Sequence, residues 1–166
     1  MKKFFLSLVF MAFAGAVLAQ NAQLPQNVTL KTLDGQSVQT STIQNDGKPI
    51  IISFWATWCK PCHVELNTIN EVYEDWQNET GVKLVAVSID DARSANKVKP
   101  DVAGMGWEYE IYLDQNQDFK RAMNVVNPPH TFVINGKGEI VYQHASFVPG
   151  DEEELYEAVK KAAAEE

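Results

Sequence analysis

Apolar and polar residues change rhythm several times along this chain, and each change marks an element. Val28-Thr29-Leu30-Lys31-Thr32-Leu33 alternates, Asp34-Gly35 supplies a turn, and Gln36-Ser37-Val38-Gln39 returns. That pattern predicts a β-hairpin. Ser41 to Asn45 has room for one helical turn, and Asp46-Gly47-Lys48 is a break. Pro49-Ile50-Ile51-Ile52-Ser53-Phe54-Trp55 is almost continuously apolar, which suits a central strand covered on both faces. The period then lengthens. Leu66, Ile69, Val72, Tyr73 and Trp76 recur at helical spacing and predict a helix from about Cys59 to Glu79, ended by Gly81. Pro61 belongs in its first turn, where a missing N–H costs nothing.

Val82 to Ile89 reads as a second buried strand, closed by Asp90-Asp91. Ser94 to Ala103 predicts a helix disturbed by Pro100, and Gly104-Met105-Gly106 breaks the pattern again. A short strand, Glu110 to Leu113, and a short helix, Gln117 to Met123, follow. Pro128-Pro129 then stands directly before a strand, and Asn135-Gly136-Lys137-Gly138 turns it into a return strand, Glu139 to His144. A last helix opens at Asp151. Asp151 and Glu154 fit a capping box, the acids at its start and Lys160-Lys161 near its end suit the helix dipole, and Leu155, Ala158, Val159 and Ala162 form its buried stripe. Strands alternating with helices predict an α/β domain with a parallel core, made mixed by the closing hairpin.

The N-terminus does not fit this core. Lys2-Lys3, the uncharged apolar run Phe4 to Val17 and the small residues of Val17-Leu18-Ala19 read as a signal peptide cut after Ala19. The alternative is an uncleaved anchor, but a spanning helix wants ~20 apolar residues. The expected organisation is a signal peptide at 1–19, a flexible N-terminus at 20–27 and one folded domain at 28–166. Cleavage would take the formal charge from −8 to −10, because residues 1–19 hold two lysines and no acid. So acidic a domain is repelled by phosphate backbones, which argues against nucleic acid as a partner.

Cys59 and Cys62 are the only cysteines. A bridge closing so small a loop is a poor staple, because the stabilisation grows with loop length. Chemistry is the better explanation. Residues i and i+3 share a helix face, so the two sulfurs can reach disulfide distance. The helix N-terminus favours a thiolate at Cys59. Cys62 stands one turn before Leu66, on the buried face. The expectation is an exposed attacking sulfur, Cys59, and a shielded resolving sulfur, Cys62, working by thiol–disulfide exchange.

The stretch Phe54-Trp55-Ala56-Thr57-Trp58-Cys59-Lys60-Pro61-Cys62 resembles the active site of the thioredoxin superfamily. The Thr29-to-Gly35 hairpin and the extra αβ segment around residues 90–123 resemble its exported TlpA/ResA-like branch. The resemblance implies a thioredoxin-like three-layer α/β/α fold with a central mixed sheet, an N-terminal β-hairpin and an αβ insertion. It implies Cys59 as nucleophile, Cys62 as resolving cysteine, and Pro129 as a cis-proline facing the dithiol. Trp58 borders the dithiol, and Pro128 falls where family members pair with substrate backbone. Having no N–H, Pro128 loses one such bond; altered or weaker peptide binding is expected there, and a Pro128→Thr variant with unchanged affinity for substrate peptides would sink that expectation. Glu65 matches an acidic position near the dithiol and can move the proton of Cys62. Thioredoxins carry an aspartate where this chain has Ser53, so that proton route is closed. They often carry a helix-kinking proline where this chain has Asn67.

The branch also implies a periplasmic, monomeric reductase of protein disulfides, without a cofactor or bound metal. Its partners would be disulfide-bearing exported proteins, apocytochrome c thiols among them (hence a link to cytochrome c biogenesis), and a membrane thiol transporter as electron donor. Oxidation or isomerisation is the alternative direction. Cys59-Lys60-Pro61-Cys62-His63 also spells the c-type haem attachment pattern, with His63 as iron ligand. A strand–turn–helix context argues that reading down. A metal module of Cys59, Cys62 and His63 lacks an evident fourth ligand. A thiol peroxidase would want proline and threonine where Ile52 and Ala56 stand. His63 is otherwise expected to face solvent and tune Cys59, His130 to be a plain strand residue and His144 to be exposed.

Overall fold

All six residues of strand β3 (Ile50–Trp55) are buried, as an uninterrupted apolar run requires. In the computed structural model, which describes residues 22–165, β3 has neighbours on both sides. The sheet has seven strands in the order β2-β1-β5-β4-β3-β6-β7. They are β1 (Thr29–Thr32), β2 (Ser37–Gln39), β4 (Lys83–Ser88), β5 (Glu110–Leu113), β6 (His130–Ile134) and β7 (Ile140–Ala145). β3, β4 and β5 run parallel, while β1 and β6 join this core antiparallel. The helices are α1 (Lys60–Thr80), α2 (Val98–Met105), α3 (Asp118–Ala122) and α4 (Asp151–Ala163). The result is the mixed α/β/α architecture expected. The proposed signal peptide lies outside the described residues. Among those described, no helix is long and apolar enough to cross a membrane.

Alternation along β3 sends successive side chains to opposite faces. Ser53 and Trp55 face α1, whereas Phe54 packs against Phe119 of α3 and edge-on to Phe132 of β6. α1 and α4 share a face and meet through stacked rings of Trp76 and Tyr156, 4.6 Å apart, a pairing worth ~0.5–1.5 kcal/mol. α2 packs beside α1 through His63–Asp101 and Asn67–Met105. The opposite face is covered more thinly, by the five-residue α3 and a short 3₁₀ turn at Thr40–Thr42.

Three local expectations change. Pro100 does not disturb its helix, because it falls in the first turn of α2, where few amides have intrahelical partners. A 3₁₀ turn, Ala95–Lys97, precedes it, and α2 runs on to Met105. The capping box does not form. Gly150 is the N-cap of α4 at φ 109°, and the acids fold back instead: Val148 N donates to Asp151 and Gly150 N to Glu152. The segment at 20–27, expected to be loose, is tied where it is described. Leu24 is buried and donates its N–H to Gly138 O, and Ile140 N donates to Ala22 O. At that same end the β6–β7 turn lies directly on Gly47. A Cβ on Gly136 would sit 1.7 Å from Gly47 O, so only glycine permits the approach.

Candidate active site

The dithiol sits where β3 ends and α1 begins. Cys59 is the N-cap of α1, with extended φ and ψ of −95° and 92°, and Pro61 stands within the first helical positions. Cys62 N and His63 N both donate to Cys59 O. Cys59 and Cys62 form a disulfide with their Cα atoms 5.3 Å apart. The first turn of α1 carries no acid, so no carboxylate within that turn opposes the partial positive charge of the helix end on a Cys59 thiolate. Cys59, expected to be exposed, retains only 4% of its surface, and Cys62 none. Bonding to Cys62 draws the Cys59 sulfur toward the buried face of α1.

The loop before Cys59 is clamped from β4. Asp90, itself buried, accepts from Thr57 N at 2.8 Å, Thr57 Oγ1 at 2.7 Å and Ser88 Oγ at 2.9 Å. Cys59 N donates to Ala56 O, and Ile89 N to Trp55 O. Trp58 is left 65% exposed by this loop. Trp55, by contrast, is buried edge-on to Trp107 with ring centroids 5.0 Å apart.

Opposite the loop, the peptide bond between Pro128 and Pro129 is cis. Pro129 is buried, and its carbonyl accepts from Ser146 N, which ties the proline loop to the end of β7. Register places these pieces together: Phe54 pairs with His130, and His130 with Ala145. The β3–α1, α3–β6 and β7–α4 loops therefore gather at one end of the sheet. Each carries an exposed apolar side chain, Trp58, Val126 and Val148 respectively.

Glu65 is fully buried. Burial of an acid is tolerated only where hydrogen bonds replace water, and three donors do so. Ser53 Oγ lies 3.2 Å from Oε2, Thr131 Oγ1 2.7 Å from Oε1, and His144 Nε2 2.9 Å from Oε1. These donors form one row across the sheet, because Ser53 pairs with Thr131 on β6 and Thr131 with His144 on β7. Ser53 does not leave the region without a carboxyl group: α1 lowers Glu65 onto its hydroxyl. His144 is not the exposed residue expected; only 15% of its side chain is accessible, and its Nδ1 is buried without a partner among the described residues.

His63 is also drawn in. Its Nε2 lies 2.7 Å from Asp101 on α2, and its ring packs against Trp55 and Trp107. This contact docks the inserted helix on α1. His130 is more than a plain strand residue. It stacks on Phe132 at 4.5 Å and meets Gln143, and burial holds its pKa below the ordinary value. The sequence reading missed Thr131, Asp90 and Asp101. Ser53 and Thr131 carry a legible signal, a lone hydroxyl inside an otherwise apolar buried strand, which demands a partner.

The AhpC/TSA family model matches residues 21–143. The chain belongs to the AhpC/TSA family. It is 30% identical over 131 residues to sporulation thiol-disulfide oxidoreductase A of Bacillus subtilis, covering 77% of each chain. It is also 30% identical over 131 residues to thiol-disulfide oxidoreductase ResA of Bacillus anthracis, covering 79% of this chain and 73% of that one. Among solved structures, an uncharacterised thioredoxin-like protein from Porphyromonas gingivalis superposes with a TM-score of 0.76 at 55% identity, over 88% of this chain and 95% of the other. A putative thiol:disulfide interchange protein DsbE from Chlorobium tepidum gives 0.76 at 25% identity, over 88% and 99%. The protein is a thiol–disulfide oxidoreductase of the ResA, StoA and DsbE type, on a thioredoxin-like fold. The haem-attachment spelling of residues 59–63 loses its footing: the sulfurs are bonded to each other, and His63 is held by Asp101.

Proposed function

We propose that this oxidoreductase works outside the cytosol, in the periplasm, as a net reductase of protein disulfides, with Cys59 attacking and Cys62 resolving. One observation carries the reading: the dithiol stands at an acid-free helix N-terminus, with a buried carboxylate one turn further along the Cys62 face. The Cys59 thiolate attacks one sulfur of a substrate disulfide. A mixed disulfide forms, and the first substrate sulfur leaves as a thiolate. Cys62 then gives its proton to Glu65 and attacks the Cys59 sulfur. The Cys59–Cys62 bond forms, and the second substrate thiolate departs. An external dithiol, such as that of a membrane thiol transporter, must supply the next electron pair. Pro129 shields the dithiol, while Trp58 and Pro128 meet the substrate chain. The exposed Trp58, Val126 and Val148 support a polypeptide substrate over a small thiol. The chain acts as a monomer and needs no cofactor.

A Cys62→Ser variant expressed in the native host tests this reading. It should accumulate mixed disulfides between Cys59 and exported proteins, and the native protein should reduce insulin. No trapped partner together with inert insulin reduction would reject the reading. Trapped proteins that gain disulfides in the presence of the native protein would reverse the direction to oxidation.

A further inference from the structure

Glu65 has a role in this mechanism only if its proton can come and go, yet no part of Glu65 reaches solvent. Each of its hydrogen-bond partners is therefore a candidate exit. Ser53 and Thr131 are themselves fully buried, and neither hydroxyl titrates in the ordinary range. His144 differs on both counts. Its imidazole can take a proton on one nitrogen while giving one from the other, and one edge of it reaches the surface beside the open edge of β7, the outermost strand.

We infer that His144 is the proton port of the buried carboxylate, joining Glu65 to solvent. The reading rests on the proposed role of Glu65. With Glu65 ionised and His144 neutral, Nε2 donates to the carboxylate 2.9 Å away and Nδ1 holds a free lone pair. Among the described residues that Nδ1 has no partner, and it is buried from solvent. An uncompensated buried acceptor is costly, so a small rotation that brings Nδ1 to water is favoured by the same imbalance. Once there, Nδ1 takes a proton from solvent while Nε2 passes its own to Glu65. One proton enters, one moves on, and the ring ends as the other neutral tautomer. The reverse sequence empties Glu65 after Cys62 has given up its proton. His144 touches Glu65 and not the sulfurs, so it is a positioning and proton-conducting residue rather than a catalytic one.

The groups facing His144 are few. Glu65 approaches from α1, His130 stands on β6, and Tyr142 lies on the same strand with its ring 5.7 Å away. Asp151 and Glu154 of α4 bear on Tyr142. Of these, only Glu65 is hydrogen-bonded to His144, so the route has a single inner terminus.

The test is repeated-turnover reduction of insulin with dithiothreitol in excess, followed from pH 5 to 8, for native protein, Glu65→Gln, His144→Gln and His144→Gly. Glutamine keeps a donor for Glu65 but conducts no proton. The native profile should show an inflection that Glu65→Gln and His144→Gln both lose. Both should turn over about tenfold or more slowly at neutral pH. Added imidazole should restore His144→Gly and leave Glu65→Gln unchanged. If His144→Gln keeps the native profile while Glu65→Gln loses it, the port is refuted and the role of Glu65 stands. If both keep the native profile, the role of Glu65 fails as well. Equal thermal midpoints for native protein and His144→Gln separate proton conduction from a folding defect.

Discussion

Two histidine–carboxylate pairs lie against the start of α1, and they differ mainly in the acid. His63 meets Asp101 at 2.7 Å, and His144 meets Glu65 at 2.9 Å. The two histidines are almost equally accessible, at 16% and 15%, but Asp101 keeps 26% of its side chain in solvent and Glu65 none. If His63 is removed, Asp101 can turn to water. If His144 is removed, Glu65 has no water to turn to. The same two functional groups therefore make a dock in one place and an obligatory partnership in the other, and burial of the carboxylate makes the difference.

The strongest way to break this comparison is His144→Leu. It takes one of two donors from Glu65 Oε1 and should lower the unfolding free energy by about 2–3 kcal/mol. The measurement is a reduced urea midpoint at unchanged slope. A loss below ~0.5 kcal/mol would place the buried pair with the exposed one. Asp101→Asn should cost at most about 1 kcal/mol, with the loss shrinking as salt is raised. A larger, salt-independent loss would show that the α2 dock is not the loose contact its exposure suggests.

His130 sharpens the comparison with the smallest expected effect. Burial is the main cause of its depressed pKa; the Gln143 hydrogen bond and Glu65 oppose it, while the neighbouring His144, whenever it is protonated, adds to it. Folded His130 thus binds a proton less readily than unfolded His130. Its contribution to stability is full above the ordinary value of 6.5 and is lost as pH falls through the lower folded value. In urea titrations, His130→Gln should flatten the acid side of the stability–pH curve. An unchanged slope below that pH would exclude His130 as its source.

Much of this architecture is legible in the residues. The apolar run of β3, the helical spacing from Leu66 to Trp76 and the Gly81 stop each predict an element found within a residue or two. The dithiol and the proline before β6 are equally plain. What is not legible depends on alignment between distant segments. Nothing local places His144 opposite Thr131, or Thr131 opposite Ser53, since register is set by the whole sheet. A histidine in a half-polar edge strand reads as exposed until α1 sets Glu65 above it. Asp151 and Glu154 fail as a capping box for a related reason. Gly150 supplies a left-handed entry to α4, and spacing alone cannot tell that conformation from the extended one a capping box needs.

The position of β3 has a consequence on another timescale. Its amides are bracketed by β4 and β6 along nearly the whole strand, and all of its residues are buried. In native-state hydrogen exchange such amides open only with the whole molecule, while short outer strands such as β2 open alone. The dithiol is thus mounted on the slowest-exchanging part of the chain. The outer strands can open on their own, while the strand that presents Cys59 to its partners stays shut.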